Sequence, residues 1–421
     1  MKSLLEKLLA WQLRRLLKRN QPTIIAVAGS VGKTSTKLAI AQVLSAQKKV
    51  CFQAGNYNVP LTVPLVFFEQ QLPESLKRVD SWLRLLAMNE LKIRKPFYYD
   101  VVVLELGIDK PGEMDALLSL ITPDISVLTA ISYEHMANFS SLNQVAGEEL
   151  KIISKTKHKT WVCANSVNKK YLDKLDKVTW YGVNKGDYNL TCSSISKNGS
   201  EVELHAYGKQ LLSAHVQLIG EHSLTAAAAA AAIAQEMGLS AKDIQKGLGM
   251  LKAFQGRMSL LNGDNDVVII DDTYNSSPEA VLRALDTLYN LPASRRIAVL
   301  GSMNELGEFS EESHKSVGEY CSSKYLAEVI TIGTEAQKYL APAARKAGCE
   351  VASFENPYDA GNYVSKIVKK GDLILFKGSQ NGVFAEEAVK PILKDPTDSK
   401  KLVRQSTFWM NKKTQQFGRV A

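Results

Sequence analysis

The stretch TIIAVAGSVGKTSTK, residues 23–37, decides how the chain is read. Thr23 to Ala28 are β-type residues, and the run stops at Gly29. A short loop, Gly29-Ser30-Val31-Gly32, leads into Lys33-Thr34-Ser35 and then a helical pattern through Thr36, Leu38, Ala39, Ile40, Val43 and Leu44. Strand, glycine-rich turn and helix N-terminus together make an anion site, because backbone N–H groups and the positive helix end converge on it. Lys33 is placed to reach the β/γ-phosphates of a nucleotide, and the Thr34 hydroxyl to hold Mg²⁺. Val27 stands where the full G-x-x-x-x-G-K-[ST] pattern has its first glycine, so the match is to a shortened loop.

Working outward, 421 residues suffice for two or three domains with large cores. The charged fraction of 23 % and apolar fraction of 45 % fit a globular protein. A formal charge of +9 suits an anionic substrate or an acidic membrane surface. No nucleic-acid motif accompanies it, so no nucleic-acid partner is expected. The five scattered cysteines form no C-x-x-C pair, which argues against a disulfide framework or zinc site. No apolar run reaches the ~20 residues needed to span a bilayer.

Residues 1–20 read as one amphipathic helix. Leu5, Leu8, Leu9, Leu13, Leu16 and Leu17 fall on one arc and Lys7, Arg14, Arg15, Lys18 and Arg19 on the other. Two roles stay open for it: docking on the following domain, or peripheral contact with a membrane. Residues 70–97 look like an inserted helical segment with basic Lys92, Arg94 and Lys95. The strand Tyr99–Glu105 ends in a carboxylate, and a strand expected over Ile125–Ile131 ends just before His135. Alternation of apolar strands and helices implies an α/β fold with a mostly parallel sheet, whose chemistry sits at the carboxyl ends of strands. From about Thr160 to Ile219 the pattern is strand-rich, and residues 223–236 form an alanine-dense helix. Phe254 to Arg257 marks a junction. Beyond it, strands at Val267–Ile270, Ile297–Leu300, Glu328–Ile332 and Asp372–Phe376 predict a second, Rossmann-like α/β domain. The expected units are 1–21, 22–255 and 256–421.

A carboxylate at Glu105 can ligate Mg²⁺ or orient a nucleophile, and His135 on a neighbouring strand end could join it. Asp271-Asp272-Thr273-Tyr274-Asn275 follows a strand and offers acids, an aromatic face and an amide. At these residues the chain resembles the ATP-dependent Mur ligases. The matching segments are GSVGKTSTK (29–37), GNYN…VPL (55–65), VVLELGIDKPGEMD (102–115), the histidine of ISYEHMANFSSL (131–142), GEH (220–222) and GR (256–257). They continue with IIDDTYNSSP (269–278), VLGSMNELGEFSEESH (299–314) and FKGSQ (376–380). The resemblance is nearest to the branch that joins D-alanyl-D-alanine to UDP-MurNAc-tripeptide.

What the resemblance implies is specific. Gly29 to Ser35 would hold the phosphates of ATP, and Thr34, Glu105 and His135 would bind Mg²⁺. Arg257, Asp272, Tyr274 and Asn275 would lie at the nucleotide, with Lys33, His135, Arg257 and Asp272 acting in catalysis. The reaction would activate a peptide carboxylate as an acyl phosphate for attack by an amine, in the cytoplasm. The partners implied are a nucleotide-sugar peptide and an amino acid or dipeptide. The family's carbamoylated lysine aligns with Glu149, with Lys151 two residues onward, so the expectation is that Glu149 itself binds a second Mg²⁺, a helix shift that uses Lys151 being the alternative. The family's N-terminal UDP-binding domain has no counterpart in these residues, which leaves that recognition to the segment 70–97 or to a partner subunit. Two other readings remain: a folylpolyglutamate synthase-like or lipid-precursor ligase of the same superfamily, and a nucleotide-binding module without catalysis.

Overall fold

The computed structural model describes residues 2–53, 55, 57–73, 78–133, 138–172 and 178–418. Two sheets carry the chain. The first has nine strands: β1 (Thr23–Ala28), β2 (Val50–Cys51), β3 (Val101–Glu105), β4 (Ile125–Leu128), β5 (Lys159–Cys163), β6 (Val178–Val183), β7 (Tyr188–Ser196), β8 (Gly199–Ala206) and β9 (Lys209–Val216), in the spatial order β2-β3-β1-β4-β5-β6-β7-β8-β9. Pairing is parallel from β2 to β7, and β7, β8 and β9 add an antiparallel meander. The strand-rich stretch thus extends the same sheet, as its sequence pattern implies. β4 stops at Leu128, three residues short of the expected Ile131.

Residues of β1 alternate between two cores, as period 2 requires. Ile25 and Val27 pack under the helices α2 (Lys33–Leu44) and Glu221–Glu236, and Ile24, Ala26 and Ala28 face the other side. The alanine-dense helix is buried along its length, so small side chains allow close approach to α2 and the sheet.

The N-terminal helix α1 (Lys2–Arg19) docks, with Leu13 and Leu16 in the core beneath the sheet. Its amino half packs Leu5 and Leu9 against Leu61 and Leu65 around the short helix α3 (Val63–Phe67), and against Trp82 and Leu85 of α4 (Val79–Ile93). Truncating Leu9 to alanine would cost about 2–5 kcal/mol. One correction applies to the leucine arc: Leu8 is 36 % exposed and lies outside the buried face.

The second sheet holds β10 (Ser259–Asn262), β11 (Val268–Asp272), β12 (Arg296–Gly301), β13 (Glu328–Ile332), β14 (Val351–Phe354) and β15 (Leu373–Lys377), in the order β10-β11-β15-β12-β13-β14. Only β10 runs antiparallel to its neighbour. Its two faces carry separate cores. Arg283 ties the two sheets' units together, reaching Glu221 at 3.0 Å, Ser166 Oγ at 3.2 Å and the Asn165 carbonyl at 3.1 Å. The architecture is α/β with mostly parallel sheets in both units.

Candidate active site

The site forms where the carboxyl ends of β1 and β3 meet the loop after β11. In register, Val27 lies beside Glu105, so the phosphate loop leaves β1 next to that carboxylate. Gly29 has φ +121°, and a Cβ there would sit 2.5 Å from Thr129 Oγ1 and 2.8 Å from Ala130 N. Only glycine fits. The loop is then tied to its neighbours: Ser30 N donates to the Ala130 carbonyl at 2.9 Å, and Thr129 Oγ1 to the Val31 carbonyl at 2.6 Å. Gly32, at φ +86°, starts α2 without a side-chain cap, which leaves the first N–H groups of that helix for an anion. Lys33 Nζ donates to the Gly29 and Ser30 carbonyls at 2.6 and 3.0 Å.

One oxygen gathers the chemistry. Glu105 Oε2 accepts from Thr34 Oγ1 at 2.9 Å and from Lys37 Nζ at 3.1 Å. Glu105 and Lys37 are both nearly sealed from solvent, at 4 % and 2 % exposure. A hydroxyl and a carboxylate are the oxygen donors a small divalent cation takes, and the Lys37 ammonium marks a position where positive charge is stable. Thr34 and Glu105 therefore fit a Mg²⁺ site. Lys37 was not singled out from the sequence, although its place three residues after Thr34 on α2 puts both on one helix face.

Across the cleft, Asp272 ends β11 directly beside Lys377 of β15. Lys377 Nζ donates to Asp272 Oδ2 at 2.5 Å and to the Asn275 carbonyl at 3.0 Å, while Met258 N donates to Asp272 Oδ1 at 3.2 Å. The Arg257 guanidinium stacks 4.1 Å from the Tyr274 ring centroid. Arg404 holds the loop from behind through the Thr273 and Tyr274 carbonyls at 2.5 and 2.8 Å, and is itself paired to buried Glu386. Asp271 is wholly buried, and desolvation raises its carboxyl to about 6 although Thr273 donates to it twice. His314, also buried, accepts Met303 N at 2.9 Å and is held below the usual histidine range by desolvation. It shapes the loop that brings Glu305 to the cleft. Lys377, Arg404 and His314 gave no separate signal in sequence; Lys377 and His314 sit inside family-like motifs, and Arg404 lies outside any.

A cleft of about 560 Å³ joins these two faces. Ser30 to Thr36, Glu105, Arg257, Asp272, Tyr274, Asn275 and Lys377 all line it. The structure thus brings together nearly every residue singled out for nucleotide and metal. Glu149 is an exception. It is buried, with Oε2 accepting the Gly29 N–H at 2.8 Å, and it stands behind the loop rather than on the cleft wall. His135 lies outside the described residues. Among the described residues no group of three or more His, Cys, Asp or Glu side chains could hold a metal. No described residue of α1 or α4 lines the cleft.

Fold and site define a two-unit α/β protein whose phosphate-type loop lines a cleft shared by both units. Residues 27–234 match the model of the Mur ligase middle domain and residues 256–380 that of the Mur ligase glutamate ligase domain, so the chain belongs to the Mur ligase family. It is 30 % identical over 379 residues to the UDP-N-acetylmuramoyl-tripeptide–D-alanyl-D-alanine ligase of Bacillus subtilis strain 168, covering 89 % of this chain and 76 % of that protein. Among solved structures, the MurF ligase from Thermotoga maritima in complex with ADP superposes with a TM-score of 0.74 at 24 % identity, covering 92 % of this chain and 83 % of the other. The folylpolyglutamate synthase of the same organism shares the fold with a TM-score of 0.57 at 16 % identity, over 88 % and 90 % of the two chains.

Proposed function

We propose that the chain is an ATP-dependent amide-bond ligase of the cytoplasm. Its acceptor is a UDP-MurNAc-peptide, and its incoming component is D-alanyl-D-alanine or a similar amine. The supporting observation is the convergence of Thr34 and Lys37 on one Glu105 oxygen, with Thr34 and Glu105 lining the same cleft as Arg257 and Asp272. The Bacillus subtilis relative is named for such substrates and the Thermotoga maritima MurF ligase is seen with ADP, and the phosphate-loop geometry suits the same use of ATP.

In this reading the acceptor's terminal carboxylate attacks the γ-phosphorus of ATP, giving an acyl phosphate and ADP. The amine then attacks the acyl carbon, phosphate leaves, and the nitrogen loses a proton. Mg²⁺, when bound, would neutralise charge on the phosphate oxygens. Gly29 to Ser35 orient the phosphates, and the Lys33 ammonium turns from its loop carbonyls to the transferring group. Arg257 and Tyr274 flank the nucleotide, with Asn275 beside it, and Asp272 sets the loop that carries them. Residues 256–421 close on 22–255 and exclude water from the acyl phosphate. Glu149 Oε2 anchors the Gly29 amide from behind the loop, and its carboxylate charge would favour a second Mg²⁺ at the site. His135 would supply a metal ligand.

The decisive assay is ATP-dependent phosphate release against a panel of UDP-MurNAc-peptides, each with D-alanyl-D-alanine and with single amino acids. Stimulation by a tripeptide acceptor plus dipeptide is expected. Absence of stimulation by every pair would overturn the assignment.

A further inference from the structure

Seven of the sixteen large apolar side chains exposed among the described residues sit on α1 and α4, and none of the seven lines the cleft. On α1 the exposed Leu4, Leu8 and Trp11 follow i, i+4, i+7, opposite the buried Leu5, Leu9, Leu13 and Leu16. The same stripe continues into Arg15 and Lys18. On α4, Val79 and Leu83 begin a stripe that continues through Glu90 and Arg94.

The two helices run parallel, because Gln12 donates to the Leu86 carbonyl at 2.9 Å and Arg19 to the Ile93 carbonyl at 3.3 Å. Arg15 and Glu90, one from each stripe, form an ion pair at 2.7 Å. That pair sets the two stripes side by side on one outer face. The Arg15 guanidinium also covers the Trp11 ring at 4.3 Å. The face is therefore apolar at the amino halves of both helices and cationic beyond and along the flanks.

Charge identifies the occupant. Helix α1 carries six cations against the single acid Glu6, and residues 78–95 carry five against Asp80 and Glu90. These two segments hold a net +8 of the chain's formal +9. Two copies would repel across such a face, so a second copy of this chain is disfavoured. A continuous anionic surface with an apolar layer beneath it matches both features: headgroups for the lysines and arginines, acyl chains for Leu4, Leu8, Trp11 and Leu83.

We propose that the face made by α1 and α4 docks on an anionic phospholipid bilayer, both helices lying in the interface plane. Neither helix crosses it: no helix among the described residues is long and apolar enough to span a membrane. The ligase cleft is then held close to an acidic membrane surface while staying open to water-soluble substrates.

The test uses the full chain and sedimentation with two vesicle preparations, phosphatidylcholine alone and phosphatidylcholine with an equal part of phosphatidylglycerol. Binding to the acidic vesicles is expected, with weak or no binding to the neutral ones and a steep loss as salt rises. The triple substitution Leu8→Ser, Trp11→Ser and Leu83→Ser should lower partitioning about tenfold or more. It should leave the circular dichroism and lipid-free phosphate release unchanged, since all three side chains are exposed and outside the cleft. A second variant, Arg14→Glu with Lys18→Glu, should weaken binding and flatten its salt dependence. The proposal is overturned if acidic vesicles do not bind the chain, or if the triple variant binds them as well as the parent. It is equally overturned if sedimentation equilibrium shows a dimer that the triple variant abolishes.

Discussion

Each wall of the cleft ends a strand in a buried lysine–carboxylate pair, and the two pairs are built for different duties. Lys37 reaches from the helix α2 to Glu105 at the end of β3, and the same Glu105 oxygen also takes the Thr34 hydroxyl. Lys377 and Asp272 are direct neighbours on β15 and β11, with their remaining bonds to Met258 N and the Asn275 carbonyl of the same unit. The first is a junction crowded at one oxygen, where a divalent cation could take over from the ammonium. The second is a brace that fixes the Asp272–Ser276 loop with or without ligand. A buried charge is stable only while its partner stays, so both lysines matter, but for the brace the loss is structural and for the junction it is chemical.

Three substitutions would break or sharpen that contrast. The largest effect is expected from Lys33→Met, about a 10³-fold fall in ATP turnover with the thermal midpoint changed little. A rate within a few-fold of the parent would remove the loop lysine from the reaction. Lys377→Met leaves Asp272 buried without its cation and should cost about 3–5 kcal/mol in urea unfolding, whether or not nucleotide is present. Lys37→Met should cost a similar amount in the apo protein, yet regain much of it with Mg²⁺ and ADP, because a divalent cation can answer the Glu105 charge. Equal regain by both variants would show that the walls do not differ.

The loop Gly29–Thr34 could be read from sequence because its constraints are local. A strand must stop, glycines must take positive φ, and a helix must begin, each leaving a residue-type mark. Glu105 could be read because a lone acid closing an apolar strand is conspicuous. Lys37 could not: a lysine inside a helix looks solvated, and only tertiary packing makes it the cation that Glu105 meets. Lys377 belonged to a family-like segment, but its partner lies 105 residues away, and strand order alone makes them neighbours. Leu8 shows the same limit in reverse. Helical spacing placed it with the buried leucines, and in the fold it lies outside the face that packs on α3 and α4.

Glu149 sharpens the contrast on the loop side. Its Oε2 takes the Gly29 N–H, a bond that glutamine can also accept and alanine cannot. Glu149→Ala should lower phosphate release about 10–100-fold, on the scale expected when a group orienting the metal site is lost. Glu149→Gln should preserve the thermal midpoint yet lose nearly as much turnover, with more Mg²⁺ needed for half-maximal rate. Parental turnover in the glutamine variant would end the metal role and leave an anchor for the loop.

The smallest expected effect lies behind the brace, at Asp271. Two acids end β11, and Lys377 answers only Asp272. Desolvation raises the Asp271 carboxyl from its ordinary 3.8 to about 6, with Asp272 adding repulsion. Between those values the native state holds a proton that the unfolded chain has lost, so stability falls as pH rises from about 4 to about 6 and is level above. Asp271→Asn stays neutral throughout and can still accept from Thr273. Relative to the parent it should therefore gain, by pH 7, on the order of 1–2 kcal/mol compared with its standing at pH 4. Urea midpoints across that range read this directly. Parallel curves for parent and variant would mean that the second carboxylate is already answered by a charge in the native fold, so that the brace at the end of β11 serves both of its acids.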